Sequence, residues 1–292
     1  MERDMKRRII QYTTVVLAFL AGMIFMTYMT RMGNRDMTGD MAQAQLPVVH
    51  AEQDGVLYNE MHGYVEDMDG ASMRDSVIGV SEDHKVGLAL EKYNAQIKSV
   101  SYEVRSLDMS RLIEGGDDLQ AEDDGKDLHI SLTLKDLLTQ GEEYLLVLKV
   151  QTEDQDLVRF YSILTYLGTN HVQDCVDFAQ RFHEMTLTGD SDGVLNYLEQ
   201  DGSMDGKNLG YINIHSRSGP VTWGDMQVVE TGETSLRFTE LESDITALTM
   251  EYQVTNTETS EQYQVREAYR LRYTSTRIYL LAYERWTDKI LE

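Results

Sequence analysis

A chain of 292 residues with 50 Asp and Glu against 26 Lys and Arg carries a formal charge of −24, which sets it against nucleic acid and anionic lipid headgroups. One cysteine, Cys175, excludes an intramolecular disulfide, so the fold must be held by packing, as on a bacterial surface. The first 35 residues hold six of the basic groups and two of the acidic ones; residues 36–292 therefore carry 20 against 48, a formal −28, which keeps an exposed domain soluble.

Residues 1–8 form a short basic tail. Residues 9–29, IIQYTTVVLAFLAGMIFMTYM, are 21 positions without a charge. At ~1.5 Å per residue, a helix of this length reaches across the ~30 Å hydrocarbon core of a bilayer. Arg3, Lys6, Arg7 and Arg8 precede the run and Arg31 and Arg35 follow it, a bias that keeps the N-terminus in the cytoplasm and puts the remainder outside the cell membrane. The competing reading is a signal peptide cleaved near Ala42-Gln43-Ala44. A signal core is usually ~7–15 residues, and the longer run here favours an uncleaved single-pass transmembrane helix. Ala18 and Gly22 form a small-xxx-small pair that lets two anchors approach. Residues 30–45 are polar and Met-rich, and read as a linker.

From 46 to 167 the pattern is that of a β-sandwich-like domain. Leu128, Ile130, Leu132 and Leu134 alternate with polar positions, as do Val100, Tyr102 and Val104, the period of half-buried strands. Residues 144–152 and 157–167 are apolar on both faces, as strands inside a packed sheet are. Shorter candidates cover 77–80 and 86–90. Six or so short strands with polar turns suggest an antiparallel sandwich. The stretch 114–127 has seven acids in fourteen residues. It reads as a solvated loop, with Ca²⁺ held by clustered carboxylates as the alternative.

The period changes at 168, where an α+β domain running to 292 begins. Val172, Cys175, Val176, Ala179, Phe182 and Met185 repeat at three and four, which predicts an amphipathic helix over about 170–187, capped by Asn170 with Gln173. Cys175 falls on the apolar stripe as a small buried hydrophobe, and His183 sits beside it as a packed or surface imidazole. After this helix, Thr188, Asp190, Asp192, Gly193 and Glu199 fit positions 1, 3, 5, 6 and 12 of an EF-hand loop. Thr188 stands where the strongest ligand, an Asp, belongs. The alternative is a Gly-containing turn and a new helix capped by Asp190 or Ser191. Strands follow at 226–230, 235–241, 247–255, 262–273 and 277–286, the last three a meander joined by turns at 256–261 and 275–276. The whole is mainly β, α+β in class. This order of elements resembles the helix-then-curved-sheet cones of NTF2-like folds.

On 262–273 one face holds Tyr263, Val265, Glu267, Tyr269, Leu271 and Tyr273. With a two-residue turn, Glu267 lies opposite Glu284, a carboxylate pair of the kind acid–base work needs. With a loop one residue longer, Arg266 lies opposite Glu284 in an ordinary ion pair, the arrangement natural sheets prefer. Arg266, Arg270 and Arg272 then form a basic strip that meets an acidic partner or neutralises nearby acids. The seven histidines show no metal spacing, and there is no G-x-S-x-G, glycine-rich phosphate loop or C-x-x-C. Two functions follow. The first is an anchored, non-enzymatic binding, scaffolding or regulatory module outside the membrane, whose plan resembles that of anchored extracytoplasmic regulators of sensor kinases; with so short a tail, inward signals need a partner membrane protein. The second is a surface hydrolase or small-molecule binder, its pocket lined by Tyr263, Tyr269 and Tyr273 with Glu267 and Glu284.

Overall fold

The computed structural model describes Thr14, Leu17, residues 19–23, Met26 and residues 46–291, without 74–75, 118, 136–137, 154–156, 170 and 202–208. The chain divides into two compact units, Met1–Gln43 and Ala44–Glu292. Most of the expected anchor at 9–29 and all of the expected linker at 30–45 lie outside the described residues. Those described between 14 and 26 are helical, and Leu17, Phe19, Leu20, Met23 and Met26 among them are exposed. No helix among the described residues is long and apolar enough to cross a membrane.

The second unit is mainly β and is built from three five-stranded sheets. In chain order the strands are β1 (Val48–Gln53), β2 (Val56–His62), β3 (Val77–Ser81), β4 (Lys85–Glu91), β5 (Ile97–Ser106), β6 (Leu112–Gly116), β7 (Ala121–Asp123), β8 (Asp127–Thr133), β9 (Glu143–Thr152) and β10 (Leu157–Gly168). They make two sheets, β2-β1-β4-β8-β7 and β3-β10-β9-β5-β6. The expected antiparallel pairing holds throughout these two sheets except at β3, which runs parallel to β10. One apolar cluster joins the sheets: Leu88, Leu90, Ile130 and Leu132 from the first meet Tyr102, Val104, Leu146 and Leu148 from the second. On β9 the alternate residues Leu145 and Val147 turn to a separate cluster with Tyr161, covered by Tyr64, Met68, Met73 and Met109. Burial on both sides is why β9 and its neighbour β10 are apolar throughout.

The helix Val172–Thr188 follows, with Val172, Cys175, Val176, Ala179 and Phe182 buried at the three-and-four spacing. It ends at Gly189, whose φ of +76° is the left-handed cap conformation that glycine adopts without strain. Its expected N-cap, Asn170, lies outside the described residues; His171 occupies the cap position without a side-chain cap bond. Two short helices, Ser191–Leu195 and Ser218–Val221, precede and follow β11 (Tyr211–Asn213). The third sheet is completed by β12 (Val228–Leu241), β13 (Ile245–Asn256), β14 (Gln262–Tyr273) and β15 (Ile278–Lys289), in the order β11-β15-β14-β13-β12. The two strands expected at 226–230 and 235–241 are one, because bulges between Thr231 and Ser235 and between Phe238 and Glu240 absorb the break in pattern.

The third sheet does not stand apart from the first two. Its residues Leu236, Phe238, Leu248, Tyr269 and Tyr283 belong to the same apolar cluster as Val49 and Phe160. The junction is fixed by Asn59, fully buried on β2 at φ +53°. Its Nδ2 donates to the Val77 carbonyl at 2.6 Å and its Oδ1 accepts from the Phe238 amide at 2.7 Å. Beside it, Tyr58 meets Phe238 edge-on at 5.1 Å.

Candidate functional site

The inward face of β14 presents Val265, Glu267, Tyr269 and Leu271, all buried. A carboxylate on such a face is costly unless it is fully hydrogen-bonded and paired. Glu267, with none of its surface exposed, meets both conditions. Its Oε2 accepts from Tyr269 Oη at 2.6 Å and from His183 Nδ1 at 3.1 Å, and its Oε1 accepts from Tyr283 Oη at 2.8 Å. His183 comes from the long helix, so one side chain ties that helix to the sheet. Its other nitrogen, Nε2, donates to Glu230 of β12 at 3.2 Å, and its ring meets Tyr252 of β13 edge-on at 4.5 Å. Phe182, one position earlier, packs against Tyr269 and Tyr283 at 5.9 and 4.9 Å.

The electrostatics follow from this geometry. Burial works against the His183 imidazolium, but the hydrogen bonds and charges of Glu267 and then Glu230 outweigh it and hold His183 above the ordinary histidine range. Burial likewise works against the Glu267 carboxylate, yet His183, the Arg285 charge and the Tyr269 hydroxyl together hold it below the ordinary carboxylate range. Burial and then the Glu267 charge push Tyr252, Tyr269 and Tyr283 well above the usual phenol range. The result is an imidazolium–carboxylate pair surrounded by neutral phenols.

Arg285, also fully buried, lies directly opposite Glu267 in the register of β14 and β15. It donates to the carbonyls of Val221 at 2.7 Å and Pro220 at 2.9 Å, closing the C-terminal end of the short helix there, and its guanidinium lies 4.0 Å from the Trp223 ring centre. Among the described residues, Tyr252 Oη, Trp223 Nε1 and Arg285 Nε are buried without a hydrogen-bond partner.

Neither hairpin register expected from the sequence is the one formed. Ala268, not Glu267 or Arg266, faces Glu284. The connection is four residues long, 274–277, with Thr274 Oγ1 bonded to both the carbonyl and the amide of Arg277. A bulge between Arg270 and Leu271 then shifts the pairing again. The five expected pocket residues are accordingly dispersed. Glu267 and Tyr269 lie in the core, Tyr269 packed solid against the helix. Tyr273 stacks on His171 at 3.4 Å, Tyr263 donates to Glu261, and Glu284 accepts from Tyr211 at 2.6 Å.

Of the residues in the calcium-loop reading, Thr188, Asp190, Asp192 and Glu199, the first two make the contacts of helix ends. Thr188 Oγ1 donates to the Glu184 carbonyl within its own helix. Asp190 Oδ1 accepts from the Gly193 amide at 2.9 Å and caps the short helix Ser191–Leu195. Gly193 is glycine because a Cβ there would fall 2.2 Å from Asp190 Oδ2. In the acidic stretch 114–127, Glu114 is buried and accepts from Tyr102 and the Lys135 amide, and Asp124 accepts from the amides of Lys126 and Asp127. Among the described residues no group of three or more His, Cys, Asp and Glu is arranged to hold a metal ion.

No family model matches the chain, and no curated protein does. Among solved structures, an engineered protein superposes with a TM-score of 0.26 at 17% identity, over 43% of this chain and 21% of its own. CopC from Methylosinus trichosporium OB3b superposes with a TM-score of 0.23 at 16% identity, over 36% of this chain and 93% of its own. Neither likeness carries an argument.

Sequence reasoning found Glu267 and Tyr269 and the face they share. It missed His183, Glu230, Tyr252, Tyr283 and Arg285. The available signal was that an acid within an apolar stripe demands a buried cationic or donor partner, and that Arg285 sits on the inward alternation of its own strand. Chemically, Glu267 accepts from three donors and His183 has both nitrogens bound. The cluster is built to hold the helix against the sheet.

Proposed function

We propose that this is a single-pass, membrane-anchored protein that displays residues 44–292 outside the cell as a non-enzymatic binding, scaffolding or regulatory module. The observation that carries the reading is the uncharged run at 9–29, flanked on its N-terminal side by Arg3, Lys6, Arg7 and Arg8. Exposed apolar residues in helical conformation at Leu17, Phe19, Leu20, Met23 and Met26 support it, since a lipid-facing helix presents such side chains.

The non-enzymatic part rests on the third sheet. In its buried cluster the Glu267 carboxylate already accepts from Tyr269, Tyr283 and His183, which favours a structural role over the hydrolase or small-molecule reading. On this reading the module acts on or through a second membrane protein. Affinity capture of the detergent-solubilised chain after cross-linking in intact cells tests this. Reproducible recovery of one membrane protein is expected, and repeated capture with none would overturn it.

A further inference from the structure

The outward face of the third sheet departs from the rest of the molecule. On a chain of net charge −24, β14 points Arg266, Arg270 and Arg272 outward, all exposed. Across the register, Arg266 faces Trp286 and Arg272 faces Tyr279. Arg266 lies 5.2 Å from the Trp286 ring centre, and Arg277, from the hairpin loop, lies 3.9 Å from that of Tyr279. Tyr279 itself is 39% exposed. Two of the arginines are partly neutralised, Arg270 by Glu240 at 3.0 Å and Arg266 by Glu251 at 4.0 Å. Among the described residues, no carboxylate lies within ion-pair distance of Arg272 or Arg277. The strip from Arg266 to Arg272 runs about 20 Å along the strand, at ~3.3 Å per residue.

We propose that this face is a docking surface for an acidic segment of a partner protein, laid in extended form along β14 and engaging Arg272, Arg277 and Tyr279 at the hairpin end. This deepens the reading of the chain as a binding module and rests on it. Three features carry it. Guanidinium groups bind carboxylates bidentately. Those stacked on aromatic rings are held in place before a partner arrives, which lowers the ordering cost of binding. Charge selects the kind of partner. The surrounding −24 repels extended polyanions such as nucleic acid and charged lipid surfaces, whereas a short acidic segment touches only the strip.

The test uses the full chain in non-ionic detergent and a fluorescein-labelled peptide of alternating Glu and Ser, followed by fluorescence anisotropy. Saturable binding that weakens with added salt is expected, against the direction set by net charge. Arg272→Glu combined with Arg277→Glu should weaken it by about tenfold or more, equivalent to ~1.4 kcal/mol per decade, with the thermal midpoint unchanged because both positions are exposed. Tyr279→Ser, which leaves the net charge alone, should weaken it less. Absence of binding at low salt, or the same affinity in the charge-reversed variant, would overturn the proposal. Equal binding of a labelled DNA oligonucleotide or a soluble short-chain phosphatidylserine would overturn the choice of partner. Membrane fractionation of the same preparation reads the anchor separately, so a negative titration leaves the assignment of place intact.

Discussion

Replacing Glu267 by Ala removes the acceptor of three buried hydrogen bonds, from Tyr269, Tyr283 and His183, and strands a buried imidazolium with only Glu230 beside it. Breaking a buried pair from one side costs about 3–5 kcal/mol, because the remaining charge loses its compensation. For a unit the size of Ala44–Glu292, each kcal/mol is worth ~2–4 °C in the thermal midpoint, so a fall of roughly 6–20 °C is expected. Glu267→Gln keeps the shape but loses the charge, and should fall in between. A double-mutant cycle with His183→Gln isolates the pair; a coupling of about 1–3 kcal/mol is expected for two groups in direct contact. The measurement is urea unfolding of the detergent-solubilised chain, followed by tryptophan fluorescence, with Trp223 stacked on the neighbouring Arg285 as reporter. A loss under ~1 kcal/mol, or a gain in stability as when a strained functional residue is removed, would refute the reasoning.

The same pair fixes a pH dependence. The folded state depresses Glu267, so its contribution is complete above the ordinary carboxylate pKa of ~4.3 and is lost as pH falls through the depressed value. His183 is raised, so its contribution is complete below ~6.5 and is lost as pH rises through the raised value. The pair therefore stabilises most between about pH 4.3 and 6.5, and His183→Gln should flatten the alkaline limb of a midpoint-against-pH series; an unaltered limb would contradict the assignment. Asn59→Ala should cost about 2–6 kcal/mol by orphaning the Phe238 amide and the Val77 carbonyl, at ~1–3 kcal/mol each, and should separate the unfolding of the first two sheets from the third; coincident transitions by two probes would count against the junction. Asp190→Ala should cost ~1 kcal/mol through the lost helix cap, with calcium giving no shift in midpoint for either protein; a rise on adding calcium to the unaltered chain would restore the loop reading.

Elements with strong periodicity were legible from residues alone. The alternation at 262–273 coincides with β14, and the three-and-four spacing from Val172 to Phe182 gives the long helix within two residues. The β1–β2 hairpin was missed although Asp54-Gly55, at φ +52° and +82°, is a two-residue turn of the favoured type. β6 runs into the acidic stretch and β7 lies inside it; all three residues of β7 are exposed, so no apolar pattern marks it. At the site, the face of Glu267 was legible and its partners were not. Arg285 reaches it through a four-residue turn and a bulge that no local pattern encodes, and His183 arrives from 84 residues earlier in the chain. The EF-hand spacing is ambiguous in sequence because a capping Asp and a glycine after a helix satisfy the same positions for reasons of backbone hydrogen bonding.

Placement at the membrane is tested most directly by protease treatment of intact cells carrying the chain with a C-terminal epitope, followed by alkaline carbonate extraction. The expected result is loss of the epitope to external protease, with an N-terminal fragment containing residues 9–29 retained in the membrane pellet. An epitope protected until the cells are lysed, or found free in the medium on a chain lacking its first forty or so residues, would contradict it.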